Sequence, residues 1–331
     1  MSLLKEAIGI GSVVIEVRDR KGGVEHDRAD LKTALRRRPR EIPSKLFYDE
    51  RGSALFERIT ELPEYYPTRT ERALLERVAD RVVAASGARQ LVEIGSGAAT
   101  KTRILLDAME RQKRLQLYVP FDVAEGTLRR SAEELVAEYP GLSVHGVVGD
   151  FTAQLGQIPE GENRLVVFLG STIGNLGPEG VRRFLADLAR AMAPGDHFLL
   201  GVDLIKDVAR LEAAYNDDAG VTAEFNRNIL RAVNRLTGGD FDPEAFRHQA
   251  PYQVDLHRIE MWLVALARQV VHLPALGMEI QLDEGEGIRT EISTKYDRPQ
   301  IETLLAANGL TPLGWYTDPE RLFGLSLSRK G

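Results

Sequence analysis

Leu91-Val92-Glu93-Ile94-Gly95-Ser96-Gly97 carries an apolar strand into a glycine turn, and a helix-compatible run begins at about Thr100. Strand, glycine turn and helix in this order leave bare backbone at the mouth of a parallel sheet, where a nucleotide-type ligand can approach without meeting a side chain. The next strand, Leu115 to Asp122, ends in a carboxylate placed to accept both hydroxyls of a ribose. A third, Ser143 to Val148, leads into Gly149-Asp150-Phe151, which adds an acid and an aromatic face for an adenine.

The dinucleotide fingerprint requires a third glycine at position 100, where Thr100 stands, so a pyrophosphate cradle is disfavoured. S-adenosylmethionine carries adenosine and a methionine tail without phosphates and does not need that glycine. Glu93, two residues before the first glycine, is expected to complement its ammonium and sulfonium charges. The alternative is an ordinary doubly wound sheet that binds another nucleotide or nothing; Asp122 and Asp150 at strand ends favour the methyl donor.

Outward from this turn, Arg164 to Gly170 and His197 to Asp203 read as further buried parallel strands. Helical patterns at Lys101 to Gln112, Glu125 to Glu138 and Pro178 to Met192 alternate with the strands. Gln300 to Asn308 is a helix, and Pro312 to Thr317 with Phe323 to Ser328 a closing antiparallel pair. The fold class is α/β: a doubly wound, class I methyltransferase-like sheet with a second α+β substrate-binding domain. Residues 69–203 plus 297–331 are assigned to the cofactor-binding domain, 31–68 plus 204–296 to the substrate domain, and 1–30 to an N-terminal extension. Within the long insertion, Asp207 to Ala219 and Ala223 to Leu236 read as helices, and His257 to Val264, Gln269 to His272 and Arg289 to Tyr296 as strands. A cleft between the domains is the expected substrate site.

The 331 residues carry 43 Lys and Arg against 49 Asp and Glu, a net charge of -6, so no global basic field recruits nucleic acid. Arg36-Arg37-Arg38-Pro39-Arg40 is expected to be a solvated helix end. The absence of cysteine removes thiolate metal sites and thiol nucleophiles, and the six histidines show no metal-binding spacing. No apolar run reaches membrane-spanning length and no signal peptide is evident, so a soluble cytoplasmic protein is expected, with neither metal nor membrane partner.

Three further stretches could carry chemistry. Gly170 to Asn175 puts an amide at a strand end, where Asn175 can donate to a carboxylate and accept from an amine, or simply stabilise a glycine-rich turn. Leu62 to Glu71 holds Tyr65 and Tyr66, core aromatics or pocket walls, in a rigid loop expected to face the cofactor. Its Thr68 and Glu71 have capping-box spacing. Alternation puts Glu291, Ser293 and Lys295 on one strand face, either a solvated face or a grip for a ring with a donor and an acceptor.

Phe47-Tyr48-Asp49, the Tyr65 loop, Glu93 to Gly97, Asp122, Gly149 to Phe151, Gly170 to Asn175 and Arg258-Ile259-Glu260-Met261-Trp262 occur in one order along the chain. This set resembles the histidine-specific N-alpha-methyltransferase family of ergothioneine biosynthesis, from about Pro43 to Ser328. The resemblance implies transfer of three methyl groups from S-adenosylmethionine to the alpha-amino group of L-histidine, giving hercynine. By the same resemblance Gly95, Lys101, Asp122, Asp150 and Phe151 bind the cofactor, and Tyr65, Asn175, Tyr215, Glu291 and Ser293 hold histidine. Asn175 and Tyr215 would fix the carboxylate and amine end and Glu291 and Ser293 the imidazole. Tyr48 would lie near the amine as the catalytic candidate, and Met261 would line the ring pocket in the histidine-selective form. A monomer acting on this small molecule is expected. The alternatives are an enzyme for another aromatic amino acid, such as tryptophan, and a non-catalytic sensor of S-adenosylmethionine or an amino acid. A dehydrogenase is disfavoured by Thr100.

Overall fold

Near-continuous apolar runs bounded by glycine and acidic residues become six parallel strands, because a strand covered on both faces needs apolar side chains in both directions. The computed structural model describes residues 11–17, 23–97 and 99–331. The chain divides into two units: Thr70–Leu204 and Tyr296–Gly331 with 11–17 in the first, and 23–69 with Ile205–Lys295 in the second.

The first unit is built on one eight-stranded sheet in the order Val13–Val17, Ser143–Val148, Leu117–Asp122, Gln90–Ile94, Arg164–Phe168, His197–Asp203, Phe323–Lys330, Leu310–Thr317. The first six run parallel; Phe323–Lys330 is antiparallel to His197–Asp203, and Leu310–Thr317 antiparallel to it in turn. Alternation along the strands feeds two cores. Leu91, Tyr118, Val144, Leu165 and Leu199 pack with Leu74, Val78 and Val82 of helix Tyr66–Ser86, Leu105 and Met109 of Thr102–Arg111, and Leu135 of Glu125–Glu138. Val92, Phe121, Val166, Phe168 and Phe198 pack with Phe184 and Leu188 of Gly177–Ala191 and with Ile301 and Leu305 of Arg298–Ala306. Each large aliphatic or aromatic side chain so buried contributes roughly 1.5–3 kcal/mol. At the amino-terminal edge, buried Arg164 donates to Asp196 Oδ2 from Nε at 2.8 Å and Nη2 at 2.6 Å, joining two strand starts. The opposite, carboxyl edge gathers the strand ends at Gly95, Asp122, Asp150 and Gly170.

In the second unit Arg258–Ala265 lies centrally, antiparallel to Gly287–Thr294 on one side and to Phe246–Gln249 and Tyr252–Gln253 on the other. Arg40–Glu41 adds a short parallel edge strand, and Gln269–Leu273 with Met278–Leu282 forms a separate hairpin. Helices Gly23–Leu35, Glu50–Glu61, Val208–Ala213 and Val221–Thr237 complete the α+β unit. Phe47 stacks on Phe225 of the last helix with centroids 4.4 Å apart.

Several expectations differ from the structure. Residues 1–10 and 18–22 of the expected N-terminal extension lie outside the described residues. Its Val13–Val17 is a parallel edge strand, as a β-branched run beside an open sheet edge favours, and its carboxyl end starts helix Gly23–Leu35. The helix expected over Asp207 to Ala219 stops at Ala213. Asp217 turns its carboxylate to the Val221 and Thr222 amides, each at 2.8 Å, and Gly220 takes φ +70° to start the next helix. The basic run is only partly solvated: Arg36 to Pro39 are exposed, but Arg40 is buried, donating to Glu286 at 3.2 Å and to the Leu35 carbonyl at 3.0 Å.

Candidate active site

The glycine turn is held from the neighbouring strand. Gly95 and Gly97 sit at φ +70° and +49°, a region that side chains rarely adopt. Asp122 ends its strand by accepting from the Gly97 amide at 2.8 Å and the Ala124 amide at 2.9 Å, one bond on each carboxylate oxygen. Each oxygen keeps a further lone pair for a ligand. One strand further out, Asp150 caps Phe151–Gln154 through the Thr152 amide at 2.9 Å, and Phe151 packs edge-on against Phe168 at 5.4 Å. Among the described residues, the buried Ser96 hydroxyl within the turn has no hydrogen-bond partner. Open backbone at Gly95, two acids on adjacent strand ends and an orphaned hydroxyl fit adenosine and a polar tail, and so fit S-adenosylmethionine.

Glu93 serves differently from expectation. It is buried beneath the turn, where its carboxylate accepts from the Thr102 hydroxyl and from Tyr118 Oη, the latter at 2.5 Å. Burial pushes its pKa up to about 7 against the pull of these hydrogen bonds. A carboxyl whose folded pKa lies above its ordinary value stabilises the fold fully below that ordinary value. This contribution is lost as pH rises through about 7. Urea unfolding is expected to show Glu93→Gln flattening the decline in stability between about pH 5 and 7 by up to about 1 kcal/mol per pH unit. An unchanged pH slope would place the titration elsewhere.

Glu71 also corrects a local expectation. Helix Tyr66–Ser86 begins before Thr68, so no capping box forms there. Glu71 is 0% exposed; it accepts the Gly170 amide at 2.8 and 3.0 Å on its two oxygens and binds Lys101 Nζ through Oε2. Lys101, at the start of helix Thr102–Arg111, is thereby fixed beside the strand end at Gly170. Gly170 and Ser171 take φ +74° and +57°, and Ser171 Oγ accepts the Asp203 amide at 2.9 Å. Partly exposed Asn175 ends the short 3-10 turn that follows.

The remaining candidates belong to the second unit, whereas Asn175 belongs to the first with the cofactor candidates. Met261, 2% exposed, lies directly opposite Glu291 across the antiparallel pair, and such partners share one face of a sheet. Ser293 follows on that face. Burial pushes Glu291 up to about 7, and the Lys295 charge pulls the other way. Tyr215 packs edge-on against Tyr65 with centroids 6.2 Å apart, and Tyr65 likewise against Phe56. Tyr48, 38% exposed, meets Phe56 and Phe225 edge-on at 6.0 and 6.2 Å. Tyr66 is structural: it is buried, and its hydroxyl accepts from Lys206 at 2.7 Å.

Tyr215, expected at the carboxylate end, has its hydroxyl 2.8 Å from Ser293 Oγ. Lys295 is the residue that sequence reasoning passed over. It is 1% exposed and donates to both Ser293 Oγ at 2.8 Å and Tyr215 Oη at 3.1 Å. Strand alternation puts it on one face with Glu291 and Ser293, and of the two readings of that face Lys295 and Ser293 are buried rather than solvated.

The chain is similar to known proteins over most of its length. The family described as "Histidine-specific methyltransferase, SAM-dependent" matches residues 27–330. The chain is 50% identical over 301 residues to a histidine N-alpha-methyltransferase of Mycolicibacterium smegmatis, covering 91% of this chain and 94% of that one. Identity to the protein of the same name from Mycobacterium tuberculosis is 48% over 303 residues, covering 92% and 94%. Ergothioneine biosynthesis protein 1 of Neurospora crassa is 32% identical over 312 residues, 88% of this chain but 33% of that longer protein. With a family match over nearly its whole length and relatives at 48–50% identity, the chain belongs to the histidine-specific, SAM-dependent methyltransferases.

Proposed function

We propose that the enzyme methylates the alpha-amino group of L-histidine three times in succession, yielding hercynine for ergothioneine biosynthesis. The observation that carries the acceptor assignment is the face shared by Met261, Glu291 and Ser293: an apolar wall with a carboxylate and a hydroxyl two residues apart. Glu291 would accept from one ring N–H and Ser293 would serve the other nitrogen. An indole has one ring N–H and no second nitrogen, so it would leave one of these polar groups unpaired, which favours histidine over tryptophan.

S-adenosylmethionine supplies an electrophilic methyl on sulfonium, and Asp122, Asp150, Phe151, Lys101 and the Gly95 backbone would hold it. Asn175 would hold the histidine carboxylate. Tyr215 would join Asn175 at the carboxylate and amine end, with its hydroxyl also within reach of Ser293 Oγ at 2.8 Å. A chain-terminal amine has a pKa of about 7.7–8.0, and a free amino acid's carboxylate raises it further, so the acceptor arrives mostly protonated. One proton must leave before each of the three transfers. Tyr48 would orient the resulting lone pair, directly or through water, and the Tyr48 and Tyr65 rings would tolerate the growing alkylammonium by cation-π attraction.

Mass spectrometry of mono-, di- and trimethylated product, with histidine and tryptophan compared as acceptors, tests this assignment; absence of trimethylhistidine would overturn it. Tyr48→Phe is expected to lower turnover by about tenfold and let partly methylated product accumulate, since a positioned proton partner is worth at least that much. Full turnover through all three steps would remove Tyr48 from the mechanism.

A further inference from the structure

Between strands Arg258–Ala265 and Gly287–Thr294 the register slips by one residue. Met261 pairs with Glu291 and Trp262 with Arg289, so Thr290 is the extra residue of a β-bulge. In an unbroken strand Arg289 and Glu291, two positions apart, would share a face. Here they part. Arg289 turns to the side of Glu260 and Trp262: its Nη1 donates to Glu260 Oε1 at 2.8 Å, and its guanidinium carbon lies 5.8 Å from the centre of the Trp262 ring. Glu291 stays on the face of Met261, where Lys295 rather than Arg289 is the charge that acts on its carboxyl.

A bulge interrupts the ladder, so its backbone needs other partners. Thr290 is 1% exposed, and its hydroxyl donates to Asn226 Oδ1 at 2.6 Å, with the Met261 carbonyl 3.1 Å away. Asn226, on helix Val221–Thr237, is 0% exposed, and its partners fix which way the amide points. A carbonyl only accepts, so it is Nδ2 that faces the Trp262 carbonyl, at 3.1 Å. The other Nδ2 proton goes to His248 Nδ1 at 2.8 Å, and His248 Nε2 then donates to the Tyr215 carbonyl at 2.8 Å. Asn226 Oδ1 thus faces the Thr290 hydroxyl as an acceptor. One helix residue ties down both bulged strands and, through His248, the backbone of Tyr215.

We propose that Thr290 is a positioning residue for the acceptor subsite: its bond to Asn226 locks the bulge that turns Glu291 toward the imidazole and keeps Arg289 on the opposite face of the sheet. The proposal rests on the placement of Glu291 at the imidazole. Without the hydroxyl, the buried Asn226 oxygen loses its donor and the bulge loses its tie to the helix. The Arg289 guanidinium can then approach the Glu291 carboxylate and compete with the ring N–H for it.

Steady-state kinetics in L-histidine, together with calorimetric titration of S-adenosylhomocysteine, test this. Thr290→Val, which keeps the side-chain shape, is expected to lower kcat/KM about tenfold, chiefly through KM, while affinity for S-adenosylhomocysteine stays within about twofold. Thr290→Ser keeps the hydroxyl and should stay within about threefold of wild type. In a Glu291→Ala background Thr290→Val should cost less than about twofold more, because the hydroxyl acts through that carboxylate. A merely structural threonine would lower stability and leave KM at its wild-type value, and that result in folded Thr290→Val overturns the proposal. So does a serine variant as impaired as the valine one, or a tenfold loss that persists without the Glu291 carboxylate. Should Thr290→Val not fold, Thr290→Ala removes the same hydroxyl with less bulk against Asn226 and is read in the same way. Failure of the underlying placement is distinct: Glu291→Ala alone would then leave KM for histidine unchanged, and the proposal falls with it.

Discussion

Glu291→Ala is expected to lower kcat/KM for histidine by about a hundredfold or more while leaving affinity for S-adenosylhomocysteine within about twofold. The size follows from what the substitution strands. A bound imidazole N–H would lose its acceptor inside a pocket walled by Met261, and a buried unpaired donor costs about 1–3 kcal/mol. Lys295 would also lose the neighbouring negative charge whose field it shares, leaving a buried ammonium less compensated. Glu291→Gln keeps the shape and an accepting oxygen and should recover part of the loss. It should also remove a component of the pH dependence. With burial pushing the Glu291 carboxyl up to about 7, the wild-type acceptor is progressively protonated as pH falls through that value, and KM for histidine rises. The amide variant lacks this component, while the substrate's own titrations stay common to both. Steady-state kinetics in histidine and equilibrium titration of the cofactor product check both arms. Equal losses of substrate efficiency and cofactor affinity would sink the placement of Glu291 at the acceptor.

What the sequence made legible, and what it did not, divides along a physical line. Strands such as Ser143–Val148 and His197–Asp203 were readable because every residue in them is buried, so apolar residues recur on both faces with few polar interruptions. That same feature hid the direction of Glu93. In a strand covered on both faces, alternation does not reveal which way one acid points, and its partners Thr102 and Tyr118 lie on other elements. Thr68 and Glu71 satisfied a local helix-start pattern, but Glu71 answers to Gly170, 99 positions away. Alternation placed Lys295 beside Ser293 correctly, yet it reports a face and not whether that face is covered. Residues fixed by local geometry, such as Gly95 at φ +70° and Asp122 at a strand end, were therefore accessible, and those fixed by distant partners were not.

Glu71 is the distant-partner case with the largest expected consequence. Glu71→Ala should destabilise the protein by about 3 kcal/mol and weaken S-adenosylhomocysteine binding by about tenfold or more. The carboxylate is enclosed: it is 0% exposed, and a Cβ built on Gly201 would stand 2.2 Å from its Oε1. Its removal leaves the Gly170 amide without the acceptor that holds a turn of two consecutive left-handed residues, and it frees the Lys101 ammonium. Glu71→Gln separates these two effects. An amide oxygen still accepts from Gly170, so most of the stability should return, whereas the lost charge leaves Lys101 unanchored and cofactor affinity reduced. Urea unfolding and calorimetric titration read the two quantities independently. Wild-type cofactor affinity in Glu71→Gln would show that Lys101 needs no anchor. A loss of less than about 1 kcal/mol in Glu71→Ala would show that the enclosed carboxylate is not what holds the strand end in place.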